Sequence, residues 1–270
     1  MEMTLGNRPL TTPSTRPKRI SMMLWGPSGC GKTTLASTAP GKKLWISFDP
    51  DGTDSLINRS DIIVLDLANE KDAIVEKFKV ENPMSLAGFL DENTDIETIV
   101  FDSITTFGDK ALRHGVVKAT TTSKGKYSTL EDPGYSGYGN KNTWTRTAIK
   151  HLLRVTGEAN RHLIIIAHED KPVLNADGHA ISTTIMIGSS LAQQVPIDFS
   201  EVWHMEDTGK IRRIAIRPCR LFKPMKTRMF ATSGKPEFEW KYDPEEFDGD
   251  TISNWYSSWI ENKGKKIELP

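Results

Sequence analysis

Residues 26–34 read Gly-Pro-Ser-Gly-Cys-Gly-Lys-Thr-Thr, and the spacing G-x-x-x-x-G-K-[ST] is one that takes the phosphates of a nucleotide. The chemistry is that of backbone and charge. Gly26, Gly29 and Gly31 let the chain wrap closely round a polyphosphate with successive N–H groups turned inward. Pro27, Ser28, Cys30 and Thr34 complete the binding stretch. A helix beginning at Lys32 adds the partial positive charge of its N-terminus. Lys32 is placed to reach the β- and γ-phosphates and the Thr33 hydroxyl to ligate Mg²⁺. Cys30 lies at the same helix start, where a thiolate is favoured; its alkylation is expected to block nucleotide binding, with ATP protecting it.

Such a loop acts only with acids beside it, and the apolar runs downstream supply them. Leu44-Trp45-Ile46-Ser47-Phe48 ends in Asp49-Pro50-Asp51-Gly52-Thr53. Asp51 is read as a general base or water-orienting group with Asp49 in support; the alternative is an Asp-Gly turn with no further role. Thr98-Ile99-Val100-Phe101-Asp102-Ser103 has the form of a Walker B element, an apolar strand ending in a carboxylate that holds Mg²⁺ directly or through water. Leu163-Ile164-Ile165-Ile166-Ala167 is apolar throughout, which suggests a central strand buried on both faces. His168 at its end is then a candidate sensor of the γ-phosphate, against the alternative of a structural histidine. Farther on, Lys226-Thr227-Arg228 in a basic run could set a Lys and an Arg against a phosphate belonging to a neighbouring subunit; a solvated basic face is the alternative.

These groups require a scaffold. Ile20–Trp25 must be the strand before the loop, and Ile62–Leu67 adds another. Helices are expected over 72–78, 106–119, 143–159 and 251–260, with a turn of helix over 85–90 and Thr105 or Thr106 capping the second. Residues 118–142 break the pattern and read as a long loop, where Lys124, Lys126, Tyr127, Tyr135 and Tyr138 suit a single-stranded nucleic acid, cations tracking phosphates and rings stacking on bases; the alternatives are a contact with a partner or subunit and a plain mobile loop. Residues 170–195 form a second irregular stretch with a hairpin turn at Asn175–Gly178. Residues 1–19 read as a flexible basic arm, 20–235 as the core, and 236–270 as a C-terminal appendage packed on it, its last residues Lys263–Pro270 fraying. Lys plus Arg and Asp plus Glu each number 35, so any nucleic-acid surface must be a local patch. Two cysteines build neither a disulfide framework nor a zinc cluster and favour a reducing cytosol. No run reaches membrane-spanning length, and the N-terminus lacks the apolar segment of a secretory signal.

The order of phosphate loop, Asp-Pro-Asp-Gly after a strand, Val100-Phe101-Asp102-Ser103, Ala167-His168 and Lys226-Thr227-Arg228 resembles the RecA-like branch of P-loop ATPases. It is most similar to the short phage-type ATPases (AAA/RecA-like) linked to single-strand annealing and recombination. The resemblance spans about residues 20 to 232. It implies an α/β fold: a mostly parallel sheet flanked by helices, with added C-terminal antiparallel strands, and Leu163–Ala167 lying between the phosphate-loop strand and the Walker B strand. It implies ATP and Mg²⁺ as cofactors and catalytic roles for Lys32, Asp51 (where relatives usually carry Glu), Asp102, His168, Lys226 and Arg228. It implies a homo-oligomer with head-to-tail shared sites, single-stranded DNA as a partner, and single-strand-binding or other recombination proteins beside it, in a bacterial or phage-infected cytoplasm. The function it implies is ATP hydrolysis coupled to single-stranded DNA binding in recombination or annealing. The alternatives are a RecA-like helicase or loader, and a nucleotide-gated binding module with negligible turnover.

Overall fold

The computed structural model describes residues 4–5, 8–9, 18–78, 85–121, 129–219, 221–222, 224–231, 235–246 and 248–270. The expected strands form where apolar residues run without a break. They are β1 (Ser21–Gly26), β2 (Lys42–Ser47), β3 (Ile62–Asp66), β4 (Ile96–Asp102) and β5 (His162–His168), followed by β6 (Glu201–Asp207), β7 (Arg212–Ala215) and β8 (Glu237–Trp240). They make one eight-stranded sheet in the order β8-β7-β6-β1-β5-β4-β2-β3. From β6 to β3 every neighbouring pair is parallel, whereas β7 and β8 are added by antiparallel pairing. The strand between the phosphate-loop strand and the Walker B strand is β5, as the resemblance implied, and the fold is RecA-like.

Side chains alternate across this sheet, and both faces of its central strands are buried. Met23, Trp25, Ile99, Phe101, Leu163 and Ile165 join one apolar core. Helices α3 (Ile104–Thr121), α4 (Gly134–Glu158) and α5 (Ser189–Gln194) cover it. Met22, Leu24, Val100, Ile164, Ile166 and Trp203 join the other core, covered by α1 (Lys32–Ser37) and α6 (Ile252–Glu261). The all-apolar run Leu163–Ala167 of β5 is the consequence: neither of its faces meets water. A further helix, α2 (Leu86–Glu92), is capped by Ser85, whose hydroxyl accepts the Gly88 N–H at 2.8 Å.

The parallel register sets the site. Gly26 lies opposite His168, and Ser47 lies opposite Asp102, so the ends of β1, β5, β4 and β2 open on one edge of the sheet.

The structure corrects several sequence expectations. The long loop over 118–142 is much shorter, because α3 continues to Thr121 and α4 starts at Gly134, nine residues before the expected Thr143. Its Gly- and Tyr-rich start has poor helix propensity, but tertiary packing overrides it. A Cβ on Gly115 would press on Asn140 Cβ at 3.0 Å and the Gly137 carbonyl at 3.2 Å, so α3 and α4 meet closely only because that residue is glycine. The expected fraying of Lys263–Pro270 is also corrected. Ile267 donates to Met229 O at 2.9 Å and accepts from Ala231 N at 2.7 Å, and with Leu269 it packs on the second core. The segment after residue 235 contributes β8 as the sheet's edge strand. At the other end, Arg19 is anchored in the body, its guanidinium donating to Thr156 Oγ1 at 3.2 Å and to the Leu153 carbonyl at 3.2 Å. Thr4–Leu5 pairs antiparallel with Arg8–Pro9, and the Asn175–Gly178 turn joins the pair Val173–Leu174 and Ala180–Ser182.

Candidate active site

The phosphate loop leaves β1 at Gly26, where a Cβ would run into the carbonyl oxygen of Met205 on β6; only glycine lets the two backbones pass. Pro27, Ser28 and Gly29 form its exposed crest, while Gly31, Thr33 and Thr34 are half-buried. Lys32 is buried, and its ammonium donates to the carbonyls of Gly26 at 3.0 Å and Pro27 at 2.5 Å, across the mouth of the loop. Cys30 departs from expectation. Its thiol is 2% exposed, and burial pushes it above the ordinary cysteine range despite the opposing charge of Lys32. The thiolate expected from helix position is thus overruled by desolvation.

Beside the loop stands a polar cluster built from three strand ends. Thr33 Oγ1 donates to Asp102 Oδ2 at 3.3 Å. Asp102 is 2% exposed, and burial, reinforced by the charge of Asp49, pushes its carboxyl up to about 7. Asp49 accepts three side-chain donors: Ser103 Oγ at 3.1 Å, His168 Nε2 at 3.2 Å, and Thr106 Oγ1. Burial alone would raise the Asp49 carboxyl, but the bonds from His168 and Thr106, with the His168 charge, outweigh it and hold it below the ordinary range. Thr105 and Thr106 do not cap α3. The cap is Ser103, whose hydroxyl accepts the Thr106 N–H at 3.2 Å. Thr105 Oγ1 instead accepts the His168 N–H at 2.9 Å, tying the end of β5 to the start of α3.

Asp51 sits outside this cluster. It is exposed, in a left-handed turn with φ 55°, and its carboxylate makes no hydrogen bond or ion pair among the described residues. Asp49, expected only to support Asp51, is the hub of the hydrogen bonds. A second pair has no counterpart among the expected site residues. Glu169 Oε2 meets His204 Nε2 at 2.6 Å, and Thr183 donates to Glu169 Oε1 at 3.1 Å. His204 is 1% exposed and stacks on Phe222 with ring centroids 3.7 Å apart. The polar residue interrupting the apolar β6 run was its only sequence signal.

A buried carboxyl beside a hydroxyl and a glycine-lined loop is the donor set that a nucleoside triphosphate and a hard cation such as Mg²⁺ take, so these residues fit that pair. The other predicted residues lie elsewhere. Lys226 and Arg228 flank the entry of β6, where Val202 and Lys226 exchange backbone hydrogen bonds at 2.8 and 2.9 Å. In register, that entry is level with Met22 and Met23, toward the sheet edge opposite the loop. Tyr135 and Tyr138, on the first turns of α4, are 96% and 51% exposed. Lys124, Lys126 and Tyr127 lie outside the described residues.

A family model described as an AAA domain matches residues 18–239. The chain belongs to that AAA domain family. Membership makes it a nucleotide-binding ATPase domain, of a group that uses ATP and typically Mg²⁺. No curated protein matches the chain. Among solved structures it is similar to the KaiC-like protein PH0186 from the hyperthermophilic archaeon Pyrococcus horikoshii OT3, with 13% identity over 83% of this chain and 86% of that one and a TM-score of 0.43. It is similar also to the RadB recombinase, with 12% identity over 83% and 88% and a TM-score of 0.44. Among the described residues, no helix of this AAA domain chain is long and apolar enough to cross a membrane.

Proposed function

We propose that the chain hydrolyses ATP and couples its nucleotide state to single-stranded DNA, in phage or bacterial recombination or annealing. The observation that carries this is the gathering of Thr33, Asp102, Asp49 and His168 at the mouth of the phosphate loop. Thr33 and Asp102 would hold Mg²⁺, which supplies neutralisation of the phosphate charge. Lys32 would turn from the loop carbonyls to the β- and γ-phosphates. Asp49, already committed to three donors, is a poor base and a good organiser: it holds His168, Ser103 and Thr106 in fixed relation. The carboxylate of Asp51, without a hydrogen bond or ion pair among the described residues, is the group left to orient and deprotonate water. His168 would read the γ-phosphate through Asp49 and pass its position on through Thr105 and Glu169.

Lys226 and Arg228 stand too far round the sheet to serve their own loop, which supports a role on a neighbouring copy in a head-to-tail oligomer. DNA contact is assigned to Tyr135 and Tyr138, whose exposed rings suit base stacking, with Lys124, Lys126 and Tyr127 beside them in sequence.

The test is steady-state ATP hydrolysis with and without single-stranded DNA, using Lys32→Ala as the blank. Stimulation by DNA that is lost in Tyr135→Ala/Tyr138→Ala, while DNA-free turnover persists, is the expected result. Turnover indifferent to DNA overturns the coupling. Tight ATP binding without turnover replaces the enzyme by a nucleotide-gated module.

A further inference from the structure

Glu201 opens β6 on the side of the sheet away from the phosphate loop, and only 2% of it is exposed. Among the described residues no lysine or arginine forms an ion pair with it. Its carboxylate is instead filled by neutral donors. Oε2 accepts Thr227 Oγ1 at 2.6 Å and Trp203 Nε1 at 3.0 Å, and Oε1 accepts the backbone N–H of Arg228 at 2.9 Å and of Met229 at 3.2 Å. Thr227 Oγ1 also accepts the Phe230 N–H at 3.2 Å. A carboxylate is a costly thing to bury, and apolar residues of similar volume often stabilise as well or better. What this one does that an apolar residue cannot is hold three consecutive residues of a segment that has no helix or ladder of its own.

The same segment is held on both flanks. Lys226 pairs with Val202, and Met229 accepts the Ile267 N–H. The two cations in it differ in their commitments. The Lys226 ammonium is spent on the Ile197 carbonyl at 3.0 Å. The Arg228 guanidinium is exposed and makes no hydrogen bond or ion pair among the described residues.

We infer that Glu201 is a positioning residue that fixes the Thr227–Met229 backbone so that Arg228, rather than Lys226, is presented to the transferring phosphoryl group bound in a second copy of this chain. This rests on the reading that Arg228 acts on a neighbouring site. A side chain that must meet an oxyanion at hydrogen-bond distance gains from a base that does not move, since displacement of about 1 Å can cost about a hundredfold in rate.

The test compares Glu201→Gln, Arg228→Ala and the double variant, measuring kcat, the Kd for ATP·Mg and the thermal midpoint. In Glu201→Gln the amide NH₂ faces donors, and Trp203 Nε1 cannot reverse its role. The expected result is a kcat lowered by about ten- to a hundredfold with Kd little changed, and a double variant no slower than Arg228→Ala alone. A double variant slower than Arg228→Ala by the full Glu201→Gln factor overturns the inference, as does a Glu201→Gln protein with wild-type kcat while Arg228→Ala is slow. Wild-type kcat in Arg228→Ala overturns the neighbour-site reading itself, and the inference falls with it. Should Glu201→Gln not fold, Thr227→Val, which keeps the carboxylate and removes one donor, carries the same comparison with and without Arg228→Ala.

Discussion

One buried histidine should make this protein's stability fall with acid between pH 6.5 and 4. His162 begins the central strand β5, and its Nδ1 accepts the Ile20 N–H at 3.0 Å, joining the entries of β1 and β5. It is 7% exposed, its ring set edge-on to Tyr256 with centroids 4.6 Å apart. Burial, with Arg19 and Arg161 nearby, lowers its pKa from 6.5 to about 4. Protonation would also set an N–H against the Ile20 N–H it now accepts. Because the folded pKa is depressed, the unfolded chain binds the extra proton between pH 6.5 and 4, and stability rises with pH through that window. The whole difference is about 3 kcal/mol at 1.36 kcal/mol per pH unit, a large part of the roughly 5–15 kcal/mol that holds a domain together. Some 2 kcal/mol of it is lost already at pH 5. The assay is urea unfolding at pH 7.5 and pH 5.0 for the native chain and for His162→Asn, whose side-chain oxygen can still accept from Ile20. The variant is expected to be weaker at pH 7.5 from lost packing, yet to lose about 2 kcal/mol less on going to pH 5.0. Equal pH losses in the two proteins would refute the argument.

Two further outcomes separate roles that adjoin in sequence. Asp51→Asn should lower kcat by roughly a hundredfold or more while Kd for ATP·Mg and the thermal midpoint stay near native; Asp49→Asn, which disturbs the acceptor for Ser103, Thr106 and His168, should instead lower stability by about 1–3 kcal/mol, read by urea unfolding. Iodoacetamide should modify Cys219 well before Cys30 in the folded protein, scored by peptide mass; faster labelling of Cys30 would show that its burial is not maintained in solution.

How much of this was legible in the sequence depended on how local the cause was. The phosphate loop is written in nine consecutive residues, and β2, β3, β4 and β5 each announce themselves as an apolar run with a polar residue at its end. Even the central place of β5 followed from Leu163–Ala167 having no polar face. The hub at Asp49 was not legible, because it depends on Ser47 lying opposite Asp102 and Gly26 opposite His168, and register between strands distant in sequence is not encoded in either strand. The start of α4 was hidden for a related reason: Gly134–Gly139 looks like loop until α3 is beside it. Glu201 and the Glu169–His204 pair were passed over because a single polar residue in an apolar strand carries no sign of the partners that satisfy it.

The placing of β5 also bears on when this site comes into being. Chain order delivers β1, β2, β3 and β4 before β5, yet β5 is the strand on which β1 and β4 both pair. While the protein is being made, the Walker B strand therefore exposes one unpaired edge and the loop strand, whose neighbours β5 and β6 both come later, exposes two, and nothing yet fixes the distance between Thr33 and Asp102. A growing chain that has already displayed both nucleotide motifs has no nucleotide site. The site closes only when the most hydrophobic strand leaves the ribosome and slides between two waiting edges, which makes that interval the point at which mispairing and aggregation compete with folding.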